Sequence, residues 1–275
     1  MASKSISPAP WRKQFLRDIS KLPMATCSFA TLHPTSLSHA SEPAGTSFDK
    51  VPRVRTIVFR GMWATIPPNE RNPAPKNSPD YESDMPSFTT DVRTEKIAEL
   101  TGTGDGAVAR TSSSTMGSGG GGPVEAVFWV PDTMTQWRLR GTAYIIAPDI
   151  ETEKGCFARE VLEKKMRPKG SSDGCSWSWT RELTAHFGNM SPKMRGSFRN
   201  PLPGAPRDNE PKDPRLGLGQ EVSDLEDEIA RENFRVVVIV PGEVDQVDLE
   251  GQRRWIHRCV ESGEEEKWET CEVWP

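Results

Sequence analysis

The chain has little apolar residue (35% of 275), few histidines (four) and only two tyrosines. It has no apolar run of about 18 residues, so a membrane-spanning helix is excluded. Its first residues carry no apolar leader segment, so secretion is not expected. The five cysteines (Cys27, Cys156, Cys175, Cys259 and Cys271) are odd in number and nowhere spaced C-x-x-C. That pattern argues against a disulfide framework or a structural zinc site and for reduced thiols in a cytoplasmic protein. No two histidines stand at ligand spacing, so no metal is expected. The net charge of −4 leaves no basic footprint for nucleic acid.

What remains is strand-rich. Residues 11–22 read as a helix with Trp11, Phe15, Ile19 and Leu22 on one face, bounded by Pro10 and Pro23. Residues 24–32 and 54–59 read as strands. Residues 124–130 and 136–146 form a hairpin around Pro131-Asp132. Four further strands are expected at 234–240, 244–249, 252–260 and 267–274, the last two divided by a turn at 261–264. Short helices are expected at 94–100, 160–166 and within 181–198. The stretches 67–87, 101–123 and 204–232 are rich in Pro, in Gly and Ser, or in acid, and read as flexible inserts in one domain spanning 1–275. Six or more strands with few helices suggest a small antiparallel barrel with helical decorations.

Four places suggest chemistry. Thr90, Thr94 and Lys96 lie four and two apart at the start of a helical run, where hydroxyls, an ammonium and backbone N–H groups can hold a phosphate. The alternative is a plain N-cap with solvated cations. Arg55 and Arg60 end a β-branched strand; five apart, they point to opposite faces unless the strand bends, which Gly61 allows. In the strand at 252–260, Arg254, Ile256 and Arg258 share one face, and two arginines there call for an anionic partner. A bound anion would serve, and so would the glutamates at 264–266. Gln136, at a strand start, can donate and accept at the edge of a flat ring.

In this order the residues resemble the pyridoxamine 5'-phosphate oxidase-like, FMN-binding family. Thr90, Asp91, Arg93, Thr94 and Lys96 match a T-D-x-R-[ST]-x-K motif, preceded by Thr89 and by the Arg55–Arg60 strand. Gln136, Arg138 and Gly141 match a Q-x-R-[IVL]-x-G strand, Ser191 and Arg195 an S-x-x-x-R segment, and Arg254, Arg258, Trp268 and Pro275 a terminal pattern. The resemblance implies a mainly β fold, a split β-barrel of Greek-key type with long irregular inserts. It implies a homodimer with FMN at the interface, and no membrane or nucleic-acid partner. Arg55, Arg60, Thr89, Thr90, Arg93, Thr94 and Lys96 would hold the phosphate and ribityl chain, and Gln136 the ring. Ser191 would arrive from the partner subunit, Arg258 would approach the flavin and Arg254 the substrate. The family's oxidases carry R-L-H near the end, whereas this chain has Arg254-Trp255-Ile256. The expected function is therefore an FMN-dependent oxidoreductase acting on a small anionic substrate, with a non-catalytic flavin-binding sensor or scaffold as the alternative.

Overall fold

A computed structural model describes residues 7–34, 49–102, 117–169, 177–207, 211, 213–262 and 265–275. Its helices are α1 (Arg12–Ile19), α2 (Glu95–Gly102), α3 (Cys156–Glu163), α4 (Trp179–Gly188), α5 (Pro192–Gly196) and α6 (Glu228–Asn233). Its strands are β1 (Thr26–Pro34), β2 (Lys50–Met62), β3 (Tyr81–Ser83), β4 (Pro86–Asp91), β5 (Gly119–Val130), β6 (Thr135–Ile146), β7 (Met166–Pro168), β8 (Phe234–Asp248), β9 (Arg253–Ser262) and β10 (Glu265–Val273). None of the described helices is long and apolar enough to cross a membrane.

Eight strands form one antiparallel sheet in the order β10-β9-β8-β4-β2-β1-β5-β6, and β8 also pairs with β6. The pairings thus return on themselves through β8, β4, β2, β1, β5 and β6. The ring is thinnest between β2 and β4, where only Phe59 opposes Phe88 and Met62 opposes Pro86 across a register shift. The architecture is the expected mainly β split barrel.

β8 explains the apolar run at its start. Val237 and Ile239 enter the core inside the ring, while Phe234, Val236 and Val238 enter a second core with α3, α4 and Trp63. A strand buried on both faces reads as continuous rather than alternating hydrophobicity. The expected break at residues 241–243 is absent, because Pro241 and Gly242 continue a single strand. The interruption is taken up as a bulge opposite Arg140 and Gly141. A Cβ on Gly141 would stand 2.0 Å from the Val240 carbonyl oxygen, so the two backbones meet there only because the side chain is missing.

Other corrections are local. The expected helix at 160–166 begins earlier, at Cys156, and ends at Glu163. The Pro-rich stretch 67–87 holds β3, which pairs with β7, and buries Ala74 and Met85. The acidic stretch 204–232 buries Val222, Ile229 and Ala230. Within 101–123 the residues 103–116 lie outside those described, and β5 already begins at Gly119. Among the described cysteines, Cys27, Cys156 and Cys271 are free thiols.

α1 fills the ring. Its apolar stripe buries Trp11, Phe15 and Ile19. The Phe15 ring meets Phe59, Phe128 and Trp137 edge-on, with centroids 5.9, 5.1 and 5.6 Å away. Such edge-to-face pairs add to the burial of the rings themselves. Asp18, also buried, accepts the Trp137 indole N–H at 3.1 Å, which satisfies two buried polar groups at once. Trp11 meets Trp268 of β10, so the terminal Trp268 serves the core. Phe15→Ala is expected to cost about 3–5 kcal/mol. The checking measurement is a denaturant titration, in which the midpoint falls while the slope is kept.

Candidate functional site

β4 carries Thr89 and Thr90 to opposite faces, as alternation requires. Thr90 is buried, and the turn after Asp91 brings the start of α2 beside it. The Thr94 hydroxyl does not cap the helix; it donates to the Asp91 carbonyl at 2.7 Å. That leaves its oxygen free to accept. Lys96 Nζ donates to Thr90 Oγ1 and to Thr94 Oγ1, each at 3.1 Å. Among the described residues it has no carboxylate partner. Burial pushes its pKa down, and the nearby Arg55 charge pushes the same way. Asp91, Glu99 and Glu95 pull the other way without pairing directly with it.

Arg55 is already balanced. Its Nη2 donates to Glu99 Oε2 at 2.6 Å, and its Nη1 donates to the Thr31 hydroxyl. Glu99 is fully buried on α2 and also meets Thr31 and His33, the latter at 3.0 Å. Burial works to raise the Glu99 pKa; the bonds from Thr31 and His33, with the charge and bond of Arg55, outweigh it and hold the carboxyl below its ordinary range. His33, Glu95 and Glu99 bring possible metal-ligand atoms within 4.8 Å of one another. Glu99 is occupied there by a guanidinium, a hydroxyl and an imidazole, which suits an ion pair better than a cation.

Arg60 lies on the other face of the β2–β4 seam. The bend is at Gly61, with φ +110°, where a Cβ would approach Pro67 Cδ to 2.5 Å. Arg60 Nε donates to Thr89 Oγ1 at 3.4 Å, and Nη2 reaches Met194 Sδ at 3.9 Å. Thr89 in turn meets Met190 Sδ at 3.7 Å. Arg60 too has no acidic partner among the described residues, and burial lowers its pKa. Lys96 with Thr90 and Thr94, and Arg60 with Thr89, are thus two cation–hydroxyl groups on opposite faces of the seam, each of a kind that can donate to an anionic oxygen.

Comparison with known proteins bears on the same region. The model of the family described as "Pyridoxamine 5'-phosphate oxidase, FMN-binding domain" matches residues 8–147, slightly more than half of the chain. The chain belongs to this family. No curated protein matches it. Among solved structures it is similar to a pyridoxamine 5'-phosphate oxidase-related, FMN binding protein from Nostoc punctiforme PCC 73102. That likeness has 18% identity and a TM-score of 0.57 and covers 98% of this chain and all of the other, which speaks for the fold. PhzG from Burkholderia lata 383, at 16% identity over 96% of this chain and 90% of its own, has a TM-score of 0.37, and nothing here rests on it.

The other residues expected from the family pattern are dispersed. Ser191 N-caps α5, accepting from the Met194 N–H at 3.3 Å. The segment expected from a partner subunit therefore lies beside Arg60 of its own chain, between the two methionines. Arg195 is buried and donates to the carbonyls of Gly188, Met190 and Val222, a structural staple. Arg93 grips both oxygens of Asp91 and the carbonyls of Phe198 and Asn200, so it ties the turn before α2 to the segment after α5.

Gln136 and Arg138 stand on the outer side of β6, remote in sequence register from the Lys96 corner. From there a charge ladder crosses four strands. Glu125 of β5 meets Arg138 and Arg140 of β6. Arg138 and Arg140 meet Asp245 and Glu243 of β8. Asp245 accepts from Nε and Nη2 of Arg254 at 3.0 and 2.9 Å, and Glu243 from Arg258 at 2.9 Å. Arg254 and Arg258 do share a face, and their carboxylates come from β8 rather than from 264–266. His257 points the other way and meets Thr270 at 2.9 Å.

Sequence reasoning missed Glu99, the methionine pair and the β8 acids. Only Glu243 and Asp245, two apart opposite Arg258 and Arg254, left a readable signal. Glu99 gives a pH test. Its folded pKa lies below the ordinary 4.5, so its contribution is complete above about pH 4.5 and drains away as pH falls through the folded value. Glu99→Gln should flatten that acid-side loss in stability measured against pH. It should also cost on the order of 3 kcal/mol at neutral pH by leaving Arg55 unpaired.

Proposed function

We propose that the protein binds FMN and acts as a flavin-dependent oxidoreductase on a small anionic substrate. One observation carries the reading: Lys96 and Arg60 are half-buried cations with hydroxyl neighbours and, among the described residues, no carboxylate within ion-pair distance. Lys96, Thr94, Thr90 and Arg55 would hold the phosphate, and Arg60 with Thr89 would serve the adjoining part of the cofactor. Arg93 and Ser191, expected as direct contacts, would act by fixing the turn and the α5 corner. Bound FMN supplies two-electron chemistry at its ring, while the protein contributes binding, orientation and electrostatics.

The family pattern sends Gln136, Arg254 and Arg258 to the flavin ring and substrate of a homodimer. The outer face of β5 and β6 supports a second copy there, because Trp129, directly opposite Gln136, is 41% exposed. Exposed apolar surface rimmed by charge is typical of an interface. Arg254, whose Nη1 lies outside the Asp245 pair, would orient the substrate's anionic group.

Asp245 also favours the second reading, a flavin-binding module without turnover. It already neutralises Arg254, and Ile256 cannot donate a hydrogen bond to a substrate. Anaerobic reduction of the bound flavin by amines or by a reduced nicotinamide distinguishes the two: bleaching supports the enzyme, and an unreduced flavin the module. The binding test comes first. The purified protein should absorb as a flavoprotein and release FMN on heating. Lys96→Ala and Arg60→Ala should each weaken FMN by about 1.5–3 kcal/mol, roughly tenfold to a hundredfold in Kd. Unchanged affinity in the double variant overturns the site.

A further inference from the structure

α4 places Glu182 and His186 one turn apart on its buried side, in the second core. They are 3% and 2% exposed. Glu182 Oε1 and His186 Nε2 lie 3.8 Å apart, and neither has another hydrogen-bond partner. Unpaired polar atoms at such depth are rare and costly. The surroundings offer little help. Glu182 Oε2 accepts from the Asn77 amide at 3.0 Å, and the Ala64 backbone also bonds to this carboxyl. The His186 ring stacks on Trp63 at 5.5 Å, and Trp179 stacks on Trp63 at 5.4 Å. The nearby formal charge felt by His186 is Arg60, a cation, which opposes a charged imidazole. Glu151 and Glu163 serve the other end of α4, bonded to Ser178, Thr180 and Trp179. Arg231 binds Thr184 and covers the Phe187 ring.

We propose that Glu182 and His186 hold one proton between them, as a carboxylic acid facing a neutral imidazole, and that this proton secures the helix behind Arg60. In that state neither side chain is charged, Oε1–H is the donor and Nε2 the acceptor, and the imidazole keeps its own hydrogen on Nδ1. α4 runs directly into Met190 and Met194, which line Thr89 and Arg60, so whatever loosens α4 disturbs that wall.

The pKa directions agree with the geometry. Burial pushes Glu182 up to about 7 from 4.5. Burial, then Arg60, pushes His186 down to about 3 from 6.5. The stability tied to Glu182 is complete below pH 4.5 and lost as pH rises through 7; that tied to His186 is complete above pH 6.5 and lost as pH falls through 3. Between 4.5 and 6.5 the folded pair and the unfolded pair each carry one proton, so the two slopes cancel.

Single variants uncover the hidden slopes, and the test is independent of flavin. Stability of the purified full chain is measured by denaturant titration from pH 5.5 to about 7.5. Relative to the wild-type chain, Glu182→Gln should gain stability with rising pH, its unfolding constant falling roughly tenfold or more over the range. His186→Gln should lose stability by a similar factor in the opposite direction. Opposite slopes support the shared proton. If either variant follows the wild-type pH profile, or if both tilt the same way, the proposal is overturned. Should one variant fail to fold, the other decides alone by the sign of its slope.

Discussion

The molecule depends on the double burial of β8. This strand pairs with β6 along one edge and with β4 and then β9 along the other, closing the ring and carrying the terminal hairpin. Its two faces feed two separate cores. A polar side chain in its first half would have to enter one core or the other, which leaves only valine, isoleucine and phenylalanine around the single Arg235. That arginine is itself buried, donates to the carbonyls of Glu232 and Phe234, and is pushed down to about 10 by desolvation. The second half of β8 leaves the cores on one side, and there the acids Glu243 and Asp245 appear.

The cations fall into two groups, and the difference gives the site its character. Arg55, Arg93, Arg138, Arg167 and Arg254 all carry carboxylate partners, and these pairs hold strands and turns together. Lys96 and Arg60 have hydroxyl and thioether neighbours instead. Burial disfavours both charges. Opposed residues on a tied frame are the usual division of labour in a binding site: paired charges give rigidity, unpaired ones give affinity.

Much of this was legible in the chain. The 131–132 turn with its flanking strands, the amphipathic first helix and the hydroxyl–ammonium spacing of Thr90, Thr94 and Lys96 are local patterns, and local patterns survive in one dimension. β8 was misread as two strands because Pro241-Gly242 is a turn signal locally and a bulge only when Gly141 faces it. The β3–β7 pair was missed because three residues carry no period. Glu99 was missed because its partner Arg55 is 44 positions away and nothing near either residue marks the pairing. Alternation gives the shared face of Arg254 and Arg258, but the sequence offers a bound anion or the glutamates at 264–266 as counter-charge, whereas Asp245 and Glu243 meet them from across the sheet.

Four consecutive residues, Arg60-Gly61-Met62-Trp63, serve four separate demands. Arg60 faces the anion corner, Gly61 makes the bend, Met62 enters the ring core and Trp63 enters the second core against His186. No spare residue separates these tasks. Evolutionary drift at any one position is therefore read by the other three. Changes in this tetrapeptide are expected to combine non-additively, since neighbours that share a backbone shift do not behave independently. The surface at Arg60 and the core at Trp63 are in that sense tied together, so a change of backbone path at one is felt at the other.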